Sequence, residues 1–413
     1  MMHFKRGLSG RALHYIALFV VLNLAFFLSM ALVFSMPDSD VRVNVERSMR
    51  LLDGEGGYPR IFSPGDYSVL DSVTDTIMIG KALKGEEGNA FFAAMDVSGY
   101  GRYWHGYQVL LRPALRFFQY HEIRMIQGTA LLLLLAYLLC LAGRKGDAKP
   151  ALALMLSLCV TNFFIVPMNM QFSNMHFLMM LASIAALWAA DRRWSAHRLG
   201  LLFFGMGACA AFFDLLTTPL ITLGVPLLLL LWRRAGRPDA ALRGELAFVA
   251  AKSIAWGCGY GFTFALKWAL GTLVTGTNIM ADALSQFGLR TSGGGDGIFT
   301  VQEALMGNLR GILSLRLEMF LPWIGGCILL LLGAAVLLDR TTLARAPKVL
   351  PMLLVGTFPY VWYAAFRNHS GVHSWFTFRG QMITVMAAAC SVLYMIHGRA
   401  CAQKIKGFFQ KRS

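Results

Sequence analysis

The chain has 413 residues, of which 56% are hydrophobic and only 15% charged, with a mean hydropathy of +0.55. That balance excludes an ordinary soluble protein of this size, because several runs are long enough to cross a bilayer. The formal net charge of +16 and pI near 9.8 come without a basic folded domain, so they describe contact with an anionic membrane surface and exclude a nucleic-acid partner.

The expected fold is therefore all-α: a polytopic membrane protein with about ten transmembrane helices. In chain order the predicted spans are 12–35, 124–142, 150–168, 174–190, 198–216, 219–232, 246–274, 319–338, 348–366 and 380–397. The first is too long and too polar-flanked for a cleaved signal peptide, and Ser35-Met36-Pro37 offers no small-x-small site, so it is expected to stay as a helix.

Lys5, Arg6 and Arg11 precede span one, Arg144, Lys145 and Lys149 follow span two, and Arg192, Arg193 and Arg198 follow span four. Arg233, Arg234, Arg237 and Arg243 follow span six, Arg340, Arg345 and Lys348 follow span eight, and five Lys and Arg residues close the chain. Every second loop is basic, which predicts a multi-pass protein of the cytoplasmic membrane with both termini cytoplasmic. The expected organisation is a cytoplasmic N-terminus and first transmembrane helix over 1–35, an extracytoplasmic segment over 36–123, a bundle over 124–397 with a longer Gly-rich loop at 275–318, and a basic tail over 398–413. Seven cysteines, six of them inside predicted spans and none in a CxxC pair, support neither a disulfide framework nor a zinc site.

Segment 36–123 holds twelve of the twenty-two acidic residues. Short helices are expected over Val43 to Leu52 and Thr74 to Leu83, a turn over Pro59 to Gly65, and apolar interface stretches over Phe91 to Met95 and Tyr107 to Phe118. Within it, Asp71 and Asp75 are four apart and share a helical face. A carboxylate pair suits glycosyl or phosphoryl transfer, one deprotonating an acceptor hydroxyl while the other positions a partner or a cation; the plainer reading is helix capping by Asp71 with Asp75 solvated. Asp38 and Asp40, directly after span one, are a second acidic candidate or a solvated helix exit.

The run Arg102-Tyr103-Trp104-His105-Gly106-Tyr107, followed by Arg112-Pro113, packs forked cations for phosphate beside flat faces for a sugar. Interfacial anchoring by Trp, Tyr and snorkelling Arg is the alternative. Asp214 near the end of span five, among Phe212, Phe213, Leu215 and Leu216, requires a wet cavity or a cation. His369 and His373 are four apart, but HxxxH without a third ligand is weak for zinc, so Asn368, His369, His373 and Arg379 are read as phosphate or sugar contacts. No metal ligand set is assigned, although a divalent cation is compatible with the acidic cluster. Lys267 in span seven is expected to snorkel or to meet a phosphate. Asn169, Gln171 and His176 add polarity to another short loop on the same side, which predicts a polar cleft beneath the 36–123 cap.

This layout resembles the GT-C superfamily of integral membrane glycosyltransferases. More closely it is similar to a broad group of bacterial polytopic proteins with LDxxTDxxM, RYWHGYxxxLRP, FDxLTxP and NHSxxHxWFTxR segments, which here run Leu70 to Met78, Arg102 to Pro113, Phe213 to Pro219 and Asn368 to Arg379. The resemblance implies transfer of a sugar from a polyprenyl-phosphate-linked donor to a glycan, lipid or protein acceptor outside the membrane, with inversion and with an acidic residue of the first outer loop as base. Asp71 or Asp75 is the expected base, while Asp38 and Asp40 occupy the position after the first span that many members use. A transporter or flippase for a lipid-linked saccharide is the rival expectation, and it calls for broken helices and intramembrane charges.

Overall fold

The computed structural model describes residues 2–61, 66–84, 89–97, 100–144, 147–237, 241–291, 298–313, 325–331, 333 and 345–395. Among these the chain is helical throughout, with a single isolated bridge between Arg60 and Val69 in place of any sheet. Five helical segments are long and apolar enough to cross a membrane: Gly10–Ser35, Tyr120–Ala142, Met170–Asp191, Ala196–Phe213 and Ser374–Met395.

The first helix, α1 (Met2–Ser35), leads into a cap of four short helices, α2 (Ser39–Glu55), α3 (Ser72–Gly80), α4 (Ala90–Asp96) and α5 (Gln108–Leu115). The cap has a core of its own: Val41, Val45 and Leu52 of α2 meet Met78 and Ile79 of α3 and Leu111 and Leu115 of α5. Arg124 clamps the end of α2 to α6 (Tyr120–Ala142) through Glu55 at 2.8 and 3.0 Å, a fork that fixes direction as well as distance.

The predicted third span is interrupted. Helix α7 (Lys149–Val160) stops at Asn162, whose φ of 61° is left-handed, and a 3-10 turn over Phe163–Met168 follows. The fourth and fifth spans appear as α8 (Met170–Asp191) and α9 (Ala196–Phe213), and the sixth as α10 (Ile221–Ala235), buried along nearly its whole length. Helix α11 (Leu242–Thr275) has 34 residues but is not one of the five, since Glu245, Lys252, Lys267 and many small residues dilute its apolar content. It crosses α9 at mutually facing glycines: a Cβ on Gly207 would strike the Trp256 carbonyl, and one on Gly259 would strike that of Phe204. Backbones approach this closely only where side chains are absent.

The stretch 275–318, expected as a loop, instead contains α12 (Ile279–Thr291) and α13 (Val301–Leu313). Its Ser292 to Asp296 tract lies outside the described residues, as do Lys145, most of the predicted span 319–338 and the tail 398–413. The ninth span is broken at Thr357 into α14 (Ala346–Gly356) and α15 (Phe358–Ala365). Two short turns, α16 (Arg367–Val372) and α17 (Ser374–Thr377), and a 3-10 segment over Phe378–Gln381 then lead into α18 (Met382–Met395).

Candidate functional site

Asp71 and Asp75 both stand at the start of α3, but their surroundings differ. Asp71 precedes α3 as its N-cap, accepting from Thr74 N at 2.9 Å and Thr74 Oγ1 at 2.8 Å. Burial raises its carboxyl above the ordinary range, and the two Thr74 bonds pull against that. Asp75 is fully buried and accepts from Met170 N and Gln171 N, each at 3.0 Å, from Asn169 Nδ2 at 2.9 Å and from Tyr120 Oη. It supplies the negative charge that the first turn of α8 requires. Its environment pushes its pKa up to about 7, because desolvation outweighs the bonds from Tyr120, Met170 and Gln171 and the charge of Asp71 adds to the rise. Both oxygens are occupied, so Asp75 is a clamp between α3, α6 and α8 rather than the solvated residue of the plainer reading.

The Arg102–Arg112 run divides. Trp104 is buried and donates Nε1 to the Thr263 carbonyl at 3.0 Å. His105, at φ 55°, is held by Tyr107 Oη at 2.8 Å and the Tyr100 carbonyl at 2.9 Å. Burial lowers its pKa to about 3, so it is neutral, with Nε2–H donating to Tyr100 and Nδ1 accepting from Tyr107. Arg112, expected at a substrate phosphate, is wholly buried and closes the end of α1. Its Nε meets the Val33 carbonyl at 2.8 Å, Nη2 meets the Met36 carbonyl and Asp38 Oδ1 at 2.7 Å each, and Nη1 meets the Ala82 carbonyl. A cation on those last carbonyls complements the helix dipole. Asp38 is spent on Arg112 and on Lys84 N at 3.1 Å, and Asp40 faces Arg116 at 3.6 Å. Lys267, far from snorkelling, is buried and donates to the Met95 carbonyl at 2.6 Å, tying α11 to α4.

Arg102 and Tyr103, by contrast, line a cavity of about 280 Å³. Its wall is aromatic: Tyr260, Phe264 and Trp268 come from α11, Phe287 from α12, Trp362 and Phe366 from the end of α15. A second arginine, Arg290 in the last turn of α12, lines it too. Arg102 stacks 4.0 Å above the Tyr100 ring and pairs with Asp282 at 3.1 Å. Asp214, buried at the end of α9, accepts from Thr217 N at 2.8 Å and from Tyr260 Oη at 3.1 Å, so it stands one hydrogen bond behind the cavity wall.

The short turn α16 is tied to this cavity through one of its lining residues, and α17 follows it. His369 donates Nε2 to the carbonyl of Leu216, a lining residue, at 2.9 Å, and its ring lies 4.8 Å from that of His373. Burial lowers the pKa of His369 to about 3 and of His373 to about 4, and Arg290 adds to both shifts. Asn368 is taken up by the Leu289 carbonyl at 2.8 Å, which anchors the exit of α12. Trp375 of α17 packs edge-on against Tyr58 at 5.6 Å, and Tyr58 in turn feels the charge of Asp71. Arg379 is buried between the Phe172 and Phe378 rings at 4.3 and 4.9 Å, with only long contacts to the Trp375 and Tyr67 carbonyls and an Nε that finds no partner. The expected single cleft is thus two neighbouring places, one around Arg102, Tyr103, Asp214, His369 and His373, the other around Asp71 and Arg379.

Sequence reasoning missed Tyr260, Trp268 and Arg290. The apolar spacing Ile279, Ala283, Phe287 was the signal for α12, and it brings Arg290 to the cavity. Among the described residues no three His, Cys, Asp or Glu side chains converge as metal ligands. Comparison with family models, with curated proteins and with solved structures finds no match.

Proposed function

We propose that the chain is a membrane glycosyltransferase of the GT-C kind, taking a sugar from a polyprenyl-phosphate carrier at the outer face of the cytoplasmic membrane. The observation that carries this reading is the aromatic cavity with Arg102 and Arg290 in its lining. Flat apolar walls suit an isoprenoid, and two guanidinium forks suit the phosphate that ends it. Asp71 is the base, since it has lone pairs beyond its two Thr74 bonds whereas Asp75 and Asp38 are committed to donors; the sugar phosphate must then lie between the two places, along Tyr58, Trp375 and His373. Asp71 takes the proton of the acceptor hydroxyl, whose oxygen bonds to the anomeric carbon as the carbon–oxygen bond to phosphate breaks and its electron pair leaves with the phosphate. Back-side attack inverts the centre. Asp214 holds Tyr260 in the wall and does not touch the reacting atoms.

The test is transfer from a panel of radiolabelled polyprenyl-phosphate sugars by the purified protein, with Asp71→Asn and Arg290→Gln beside it. Turnover lost in Asp71→Asn with donor binding retained, and donor binding weakened in Arg290→Gln, is the expected result. A flippase for the same lipid is favoured by one observation, the helix interruptions at Asn162 and Thr357. Lipid that is bound and moved across vesicles but never consumed would establish that second reading.

A further inference from the structure

A second cavity, of about 640 Å³, runs along α9 from its first turn toward the Asp214 end and shares no residue with the aromatic one. Leu18 and Leu22 of α1, Leu181 and Ala185 of α8, and Leu201 and Leu202 of α9 form its sides. Along α9 the lining runs from Arg198 to Cys209, eleven residues or about 16 Å of helix. That is about half the ~30 Å hydrocarbon thickness of a bilayer, the depth of one leaflet.

The charge of the groove is confined to one end, while at the other Thr222 is already bonded to the Pro219 carbonyl and to Trp256 Nε1. Trp194 and Arg198 line the charged end, at the turn between α8 and α9. Arg192 lies 5.7 Å from the Trp188 ring in the same turn, and Lys252 donates to the Ala196 carbonyl beside it at 2.6 Å. His197 meets His14 at 3.1 Å. Among the described residues the carboxylate of this turn is Asp191, so cations exceed it several-fold. Trp at the level of headgroups with Arg beside it is the arrangement of a membrane interface.

We infer that this groove is a binding site for an acidic glycerophospholipid of the leaflet at the α1 N-terminus, with one acyl chain between α1, α8 and α9 and the phosphate on Arg198. The inference rests on the groove alone and stands whether or not the chain is a transferase. The fit has three parts: an apolar slot one leaflet deep, a single cationic mouth, and an aromatic ring at the depth of the glycerol. A zwitterionic lipid satisfies the slot but leaves the charge excess at the mouth unmatched.

The experiment is native mass spectrometry of the full chain delipidated in detergent and titrated with phosphatidylglycerol or phosphatidylcholine of identical acyl chains. The wild type is expected to retain phosphatidylglycerol about five-fold more strongly than phosphatidylcholine, the factor that one favourable cation contributes near a membrane surface. Arg198→Gln, on an exposed side chain, should bring phosphatidylglycerol down to the phosphatidylcholine level and leave the latter unchanged. Gly205→Leu should lower both, since a Cβ there points into open groove with Leu22 Cδ1 3.9 Å away. Equal retention of the two lipids by the wild type, or an unaltered preference in Arg198→Gln, would overturn the site.

Discussion

Asp71 and Asp75 stand on adjacent turns, yet one keeps lone pairs free while the other satisfies the start of a helix from elsewhere in the chain. Their variants should separate accordingly. Asn is as good an N-cap as Asp, so Asp71→Asn should melt with the wild type. Asp75→Asn presents an amide NH2 to donors and should lose about 2 kcal/mol; equal melting of the two in thermal unfolding would refute the clamp. Capping by Asp71 was legible because its partner Thr74 is three residues away, whereas Asn169 lies 94 residues from Asp75 and no local spacing announces it. His105 makes a pH prediction. Its native pKa of about 3 lies below the ordinary value, near 6.5 for an unfolded histidine. The unfolded chain therefore binds the extra proton as pH falls, and the stability from neutral His105 is present above about 6.5 and drains away below it, by up to about 1.4 kcal/mol per pH unit. His105→Asn, which tolerates the left-handed backbone, does not titrate. Melting temperatures from pH 7 to 4.5 should show the wild type falling relative to this variant, and parallel curves would mean His105 is not buried neutral.

At the scale of elements, apolar run length located the helices and missed what happens inside them. The 150–168 run is unbroken in hydropathy, and the structure breaks it at Asn162, where a left-handed residue turns the chain so that its Nδ2 reaches the Tyr67 carbonyl at 3.0 Å. The 275–318 stretch has the glycine content of a loop, and the three- and four-residue apolar spacing of α12 runs through it all the same. The α9–α11 crossing is another tertiary fact, since Gly207 and Gly259 are no different in sequence from Gly257, which faces open space. Substituting alanine makes the distinction measurable. Gly207→Ala and Gly259→Ala must push two backbones apart and are expected to cost about 1–3 kcal/mol as overpacking. Gly257→Ala only gains helix propensity, up to about 1 kcal/mol. Thermal unfolding of the three variants checks this, and a destabilised Gly257→Ala would mean that the crossing is centred elsewhere.

At the scale of the whole molecule, a mixed acidic and basic cluster and an Arg-rich turn lie at opposite ends of α8 and α9. Asp71, Asp214, Arg102, His369 and Arg379 gather toward the cap, and the Arg192, Arg193 and Arg198 turn lies at the other end of α8 and α9. Loop composition alone predicts that these two ends face opposite sides of a membrane, because a Lys or Arg count needs no knowledge of packing. Composition was silent on how the polar groups would pair, and so Arg112, charged and conspicuous in sequence, proved to be a plug for α1. Both the transferase reading and the lipid groove require the two ends to face opposite sides of the membrane. Tyr58, 55% exposed, sits on the cap and Arg192 on the basic turn, so single cysteines at these positions, in a background without the native thiols, report the sides directly. An impermeant maleimide should label Tyr58→Cys in intact cells and reach Arg192→Cys only after permeabilisation. Labelling of both without permeabilisation would put the ends on one side and leave the proposed carrier-lipid substrate without an outer face on which to be used. Reversed labelling would move the same chemistry to the cytoplasm, where nucleotide sugars compete as donors and the argument for a polyprenyl-phosphate carrier loses its force.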